Sequence, residues 1–183
     1  MRRRRFFELL VAAFVTALSS TAGSTVLLSV EEALALAFPG AVHTRETVFL
    51  TEGQVGDAAA LSGTEIPSSL VTRYVATARD GTVQGFGYLD THRVRTLPET
   101  VLIAVGPDGT VLRVEVVVFR EPLEYKPREG WYGQYEGEQL DRDLALERDI
   151  RPVTGATLTA RATTEAVRRV LAIHRALESG GAE

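Results

Sequence analysis

The sequence predicts an α+β domain: a mainly antiparallel β-sheet, laid out as a hairpin meander, covered by helices and closed by a long C-terminal helix. Asp-Gly occurs at Asp80-Gly81 and at Asp108-Gly109, each time between two β-rich runs, the strongest short-range hairpin signal a chain can carry. Ahead of the meander, two capping boxes open apolar stretches. At the other end, residues 158–178 repeat apolar positions at spacings of three and four.

Taken in order, Ser29-Val30-Glu31-Glu32 is the first box. Ala33, Leu34, Leu36, Ala37 and Phe38 follow before Pro39-Gly40 stops a short packing helix. Residues 46–50 have the β-branched and aromatic content of a strand, with His43 in the loop before it. Thr51-Glu52-Gly53-Gln54, the second box, starts a helix that runs to about residue 61 and ends near Gly63. The meander pairs residues 71–79 with 82–89 and residues 100–105 with 110–119, for a sheet of four or five strands. Val111, Val114, Val116, Val117 and Val118 make the last run almost continuously apolar, as a central strand covered on both faces requires. Gly85-Phe86-Gly87-Tyr88 lies inside a strand, where glycines mark a bulge or a close backbone approach rather than a dinucleotide fingerprint.

The charged stretch 140–149 is anchored by Leu140, Leu144 and Leu146 and leads to Arg151-Pro152, where the proline biases Arg151 to extended geometry. In the final helix Ala162, Ala166, Val167, Val170, Leu171, His174 and Leu177 share one face, with His174 a packed residue. Arg161, Arg168, Arg169 and Arg175 fall on the outer faces. The chain thus divides into residues 1–22, an N-terminal helix-strand-helix segment (23–69) packing on the domain, the domain proper (70–178), and a disordered tail (179–183).

A length of 183 residues suits one domain with a real core. Cysteine is absent, which excludes disulfides, thiolate metal ligands and a cysteine nucleophile. A formal charge of -4 argues against a nucleic-acid partner. Arg2 to Arg5, the apolar run 9–18 and Ser20-Thr21-Ala22 read as a secretory signal peptide, with an uncleaved N-terminal membrane anchor as the alternative. The apolar core of about ten residues is short for a span, which needs roughly twenty. Localisation at the periplasmic or extracytoplasmic face of the membrane follows from either.

Several enzyme classes lack parts. There is no Gly-x-Ser-x-Gly elbow, no Walker lysine after a glycine loop, and His43, His92 and His174 are scattered without metal-ligand spacing. What remains is Val153-Thr154-Gly155-Ala156-Thr157-Leu158-Thr159 at the start of the last helix. Unpaired N–H groups and the macrodipole favour an anion there. Gly155 admits a close approach, Ala156 adds little bulk, and Thr154, Thr157 and Thr159 supply hydroxyls. An ordinary threonine cap with a glycine turn reads the same way.

Thr154-Gly155-Ala156-Thr157 resembles the Ser/Thr-Gly-Ala-Thr attachment motif of the FMN-binding domain family. That family includes covalent-FMN domains of the sodium-translocating NADH:quinone oxidoreductase and of the Rnf electron-transport complex. The resemblance implies FMN as cofactor, carried on Thr157 by a phosphoester that a separate flavin transferase installs, with Thr154, Gly155 and Ala156 as the recognition frame and Leu158 and Thr159 beside them. The fuller motif has an Asp three residues before the Ser/Thr, where Arg151 stands here, so non-covalent FMN is the alternative. Of the family's Glu-Thr-Pro signature after the central strand, Glu121-Pro122 keeps part.

Two further groups are candidates for the same cofactor. His92, Arg93 and Arg95 gather at a strand-to-loop edge, either to contact a phosphate or a reduced flavin's negative charge, or as a solvated edge with local ion pairs. Trp131 and Tyr132, with Tyr135, either stack on an isoalloxazine or pack the sheet edge. The function expected is an exported flavoprotein relaying electrons between membrane or periplasmic donor and acceptor proteins, rather than a stand-alone catalyst. A non-redox exported binding or adaptor domain and a small flavin reductase are the alternatives.

Overall fold

The computed structural model describes residues 25–180, so the expected signal peptide or anchor and the last three residues of the expected tail lie outside the described residues. The strands are β1 (Thr25–Val26), β2 (Val42–Phe49), β3 (Leu70–Thr77), β4 (Val83–Arg93), β5 (Pro98–Val105) and β6 (Val111–Phe119). They form one antiparallel sheet in the order β1-β6-β5-β4-β3-β2. Helix α1 (Val30–Ala37) covers one face, while α2 (Glu52–Ser62) and α4 (Thr157–Gly180) cover the other; α3 (Glu129–Tyr132) is a single turn in the loop after β6. The α+β class is as the hairpin signals indicate.

Local chemistry explains the elements. Ser29 with Glu32 and Thr51 with Gln54 close reciprocal capping boxes on α1 and α2. At each Asp-Gly turn the Asp Oδ1 accepts the N–H two residues on, from Thr82 at 2.9 Å and from Thr110 at 3.1 Å. Alternation along β5 sends Val101, Ile103 and Val105 into the core beneath α4, and Leu102 and Ala104 into the core beneath α1.

The differences from expectation are instructive. β1 is too short to leave a periodic trace, yet pairs Thr25 with Phe119 and Val26 with Val118. β2 starts at Val42 rather than residue 46, because an edge strand with one wet face carries His43, Thr44 and Arg45. Its ends expose Val42 by 63% and Phe49 by 74%. β6 sits beside two-residue β1, second from the edge; β5 is the strand buried on both faces. α4 runs to Gly180, two residues into the expected tail. Arg168 and Arg169 are not free on an outer face: Arg168 donates to the carbonyls of Ser62, Asp141 and Leu144, tying α2 and the loop to α4, and Arg169 pairs with Asp90. His174 is packed, its Nδ1 3.0 Å from the Tyr88 hydroxyl.

The strand glycines admit α1. A Cβ on Gly87 would stand 2.7 Å from Leu34 Cδ2; one on Gly85 would stand 2.5 Å from the Val105 carbonyl oxygen and 2.7 Å from Phe38 Cε1. Gly85→Ala is therefore expected to lower unfolding free energy by roughly 1–3 kcal/mol in denaturant titration. Shortening Phe38 to Leu in the same chain should restore little, since the Val105 carbonyl stays in place.

Candidate functional site

The segment into α4 is built differently from the capping-box starts of α1 and α2. Gly155 takes φ +86°, a left-handed conformation that favours glycine, with open space where a Cβ would stand. Ala156 follows, buried, directly before the first helical residue and without any side-chain acceptor for a cap. The first turn has no acidic residue. The first intrahelical bond runs from the Ala160 N–H to the Ala156 carbonyl at 2.9 Å, so the N–H groups of Thr157, Leu158 and Thr159 precede it. The first turn of this 24-residue helix thus supplies no counter-charge to its own positive end.

Thr157 and Thr154 are exposed, and the Thr157 hydroxyl donates to the Val153 carbonyl at 3.2 Å. Thr159 is buried and donates to the Tyr125 carbonyl at 2.5 Å, fastening the helix start to the loop after β6. Across from it, the turn between β4 and β5 brings Arg95 over the Tyr125 ring, 4.6 Å from its centroid. Arg95, Tyr125, Gly155, Ala156, Thr157, Leu158 and Thr159 line a shallow cavity of about 240 Å³. The turn carrying Arg95 is held by Glu121: its Oε1 accepts from the N–H groups of Arg95 (3.2 Å), Thr96 (2.7 Å) and Leu97 (2.8 Å), and from the Thr96 hydroxyl (3.3 Å). Burial would push the Glu121 carboxyl up, but these donors hold it below the usual carboxylate range.

The other candidates lie elsewhere. His92 is inside β4, not at a loop edge, and its ring is clamped between Asp90 Oδ1 at 2.9 Å and Glu99 Oε2 at 3.0 Å. Arg169 on α4 grips Asp90 at 2.8 and 2.9 Å, and Thr163 on α4 donates to Glu99 at 3.1 Å. His92 is therefore part of the seat of α4, because the strand runs four residues past Leu89 and turns the ring under the helix. Arg93 donates to the Thr96 carbonyl. Trp131 stands edge-on to Tyr132 and Tyr135 at 5.2 and 5.5 Å, and its Nε1 donates to the Arg151 carbonyl at 2.7 Å. Tyr132 is buried, and burial, then the nearby Glu99, pushes its phenol up. Of the two readings of these aromatics, the geometry has them packing the sheet; Trp131 also steadies the approach to the motif.

A larger cleft of about 550 Å³ runs along the open edge of β6, between Leu27 and Tyr132, but no motif residue lines it. Sequence reasoning passed over Tyr125 and the role of Glu121. Their only signals were an aromatic in the loop and a glutamate-proline pair directly after the strand.

Burial alone would lower the His92 pKa; the hydrogen bonds to Asp90 and Glu99 outweigh it and raise the group from 6.5 to about 9. Asp90 is held down at about 2, burial being overcome by His92 and Arg169. A raised histidine stabilises fully below about 6.5, and that contribution is lost as pH rises through about 9. Unfolding free energy should thus fall across this window by about 1 kcal/mol per pH unit in the parent and stay flat in His92→Gln. An equally flat parent would mean that the imidazole is not charged in the fold.

No curated protein and no solved structure matches the chain. Residues 68–172, more than half of the chain, match the family described as FMN-binding domain. That span holds every residue lining the cavity at the start of α4. The donor set there suits a flavin mononucleotide's phosphate: an uncapped helix N-terminus, an arginine without a carboxylate partner among the described residues, and a glycine with open space above it. The chain belongs to the FMN-binding domain family, and FMN is its cofactor.

Proposed function

We propose that the protein is an exported flavoprotein that carries FMN through a phosphoester on Thr157 and relays electrons between donor and acceptor proteins at the membrane or in the envelope. The observation that carries this reading is the exposed Thr157 hydroxyl on the first turn of an α4 whose N-terminus no side chain fills. Bound there, the isoalloxazine supplies the redox chemistry. The protein's part is to hold the phosphate and tune the charge around it. Thr157 provides the ester oxygen, the first-turn N–H groups and Arg95 face the phosphate charge, and Gly155 leaves room. Ester formation joins Thr157 Oγ1 to phosphorus and releases the hydroxyl proton. The flavin donor must therefore be activated at its phosphate and lose a leaving group, which is work for a flavin transferase.

The cavity's size favours a carrier over a reductase. About 240 Å³ is less than the roughly 300 Å³ at which ordinary ligand pockets begin, so it cannot enclose a flavin and a second substrate together. Leu158, half exposed, lines the same cavity and leaves a partner protein access. Export rests on the arginine-led apolar N-terminus. Among the described residues no helix is long and apolar enough to cross a membrane. Arg151, in the place of the motif's aspartate, favours one second reading, in which FMN sits in the same cavity without the ester.

Produced beside a competent flavin transferase, the parent should carry an FMN mass that survives denaturation, and Thr157→Ala should lose it. Yellow protein that loses its flavin on denaturation would favour the non-covalent reading; colourless protein would reject the flavoprotein. Mixed with NADH alone, the purified holoprotein should stay oxidised and become reduced only when a donor protein is added. Rapid reduction by NADH alone would point to the reductase.

A further inference from the structure

We propose that Glu121 is a positioning residue that sets Arg95 against the FMN phosphate and so gives the site its preference for FMN over the phosphate-free flavin. This rests on the reading that FMN's phosphate lies at the start of α4.

Glu121 leaves β6 two residues after its end, and Pro122 behind it biases its backbone to extended geometry. The residue is buried, and its Oε1 is turned toward the β4–β5 connection. There, three consecutive N–H groups and one hydroxyl converge on a single oxygen, at 2.7 to 3.3 Å. Successive backbone N–H groups around one anion make a nest, and charge-assisted bonds of this kind are stronger than neutral ones. The bond from the Val94 N–H to the Leu97 carbonyl at 3.1 Å closes the same turn. The backbone of Arg95 is thereby fixed from within the protein, by a carboxylate oxygen that already accepts from four donors. That carboxylate makes no ion pair with the Arg95 guanidinium.

The guanidinium is left to the cavity. It rests on the Tyr125 ring, and the Tyr125 carbonyl is bonded to Thr159 on α4, so turn, loop and helix start form one connected frame. Among the described residues Arg95 is the only charged one lining the cavity, and no carboxylate does. Its charge and the helix terminus both line this cavity and act together on whatever lies in it. A phosphate gains from both; a ribityl hydroxyl in its place gains little from either.

The test uses the full chain made without a flavin transferase, titrated separately with FMN and with riboflavin. The parent should bind FMN the more tightly. Arg95→Ala and Glu121→Ala should each weaken FMN by about tenfold or more while riboflavin changes little, so that the preference collapses. The double variant should lose little beyond either single one, since both remove the same contact. Glu121→Gln keeps an acceptor oxygen and should keep part of the preference; it also decides the matter if Glu121→Ala fails to fold. Equal loss of both flavins in the Glu121 variants would make the residue merely structural and overturn the proposal, as would an unchanged preference. Gly155→Val separates the two levels. If it abolishes FMN binding while Glu121 variants keep the preference, only the positioning role falls. If it leaves FMN binding intact, the phosphate is not at this helix start and both readings fall.

Discussion

The arrangement depends on how α4 is seated. Apolar packing from Ala166 to Ala176 holds the helix on the sheet, but non-directional packing would tolerate sliding along its axis. The register is set by polar groups that bond in only one position. Arg169 reaches Asp90, His92 bridges Asp90 and Glu99, and Thr163 closes on Glu99, with Thr163 in the second turn of the helix and Arg169 near its middle. Breaking any member leaves a buried charge short of a partner, which is why such a chain specifies one geometry.

From that seat the site follows as a consequence of chain connectivity. The same two strands that carry Asp90, His92 and Glu99 are joined by the turn that presents Arg95. The same helix that carries Thr163 and Arg169 begins at Thr157. An uncapped helix end and a cation are thus brought to one cavity by elements whose relative position is fixed close by. The two remaining pieces, Glu121 and Tyr125, come from the first residues after β6 and fill the gap between them. Binding groups held by a rigid scaffold need little reordering when a ligand arrives.

Much of this is legible in the sequence, for identifiable reasons. Both capping boxes, both Asp-Gly turns and the amphipathic last helix depend on neighbours within a few residues, and local chemistry decides them. The motif at residues 154–157 is legible because it is contiguous. What escapes is non-local. Nothing near His92 in the chain announces Glu99 across the hairpin or Arg169 on a helix far downstream, so a buried ion chain looks like a basic loop edge. Trp131 and Tyr132 stand out by ring area alone, and only the fold decides whether rings face a ligand or a sheet. Glu121 looks like the remnant of a signature because its partners lie in another turn, some 25 residues earlier.

The outer strand β2 bears on how copies of this molecule meet. The Leu50 N–H donates to the carbonyl of Ser69, directly before β3, so by alternation the backbone groups of His43, Arg45, Thr47 and Phe49 point away from the sheet. Two copies zipped together antiparallel along this border must match odd positions with odd ones. The best-overlapping alignments then set Arg45 against Arg45 or Glu46 against Glu46 across the two-fold axis, and like charges directly opposed are repulsive. The alignment that would join Arg45 to Glu46 is one residue out of step and forfeits the ladder. With an apolar residue exposed at either end, the strand still discourages edge-to-edge pairing with a second copy by the parity of its charges.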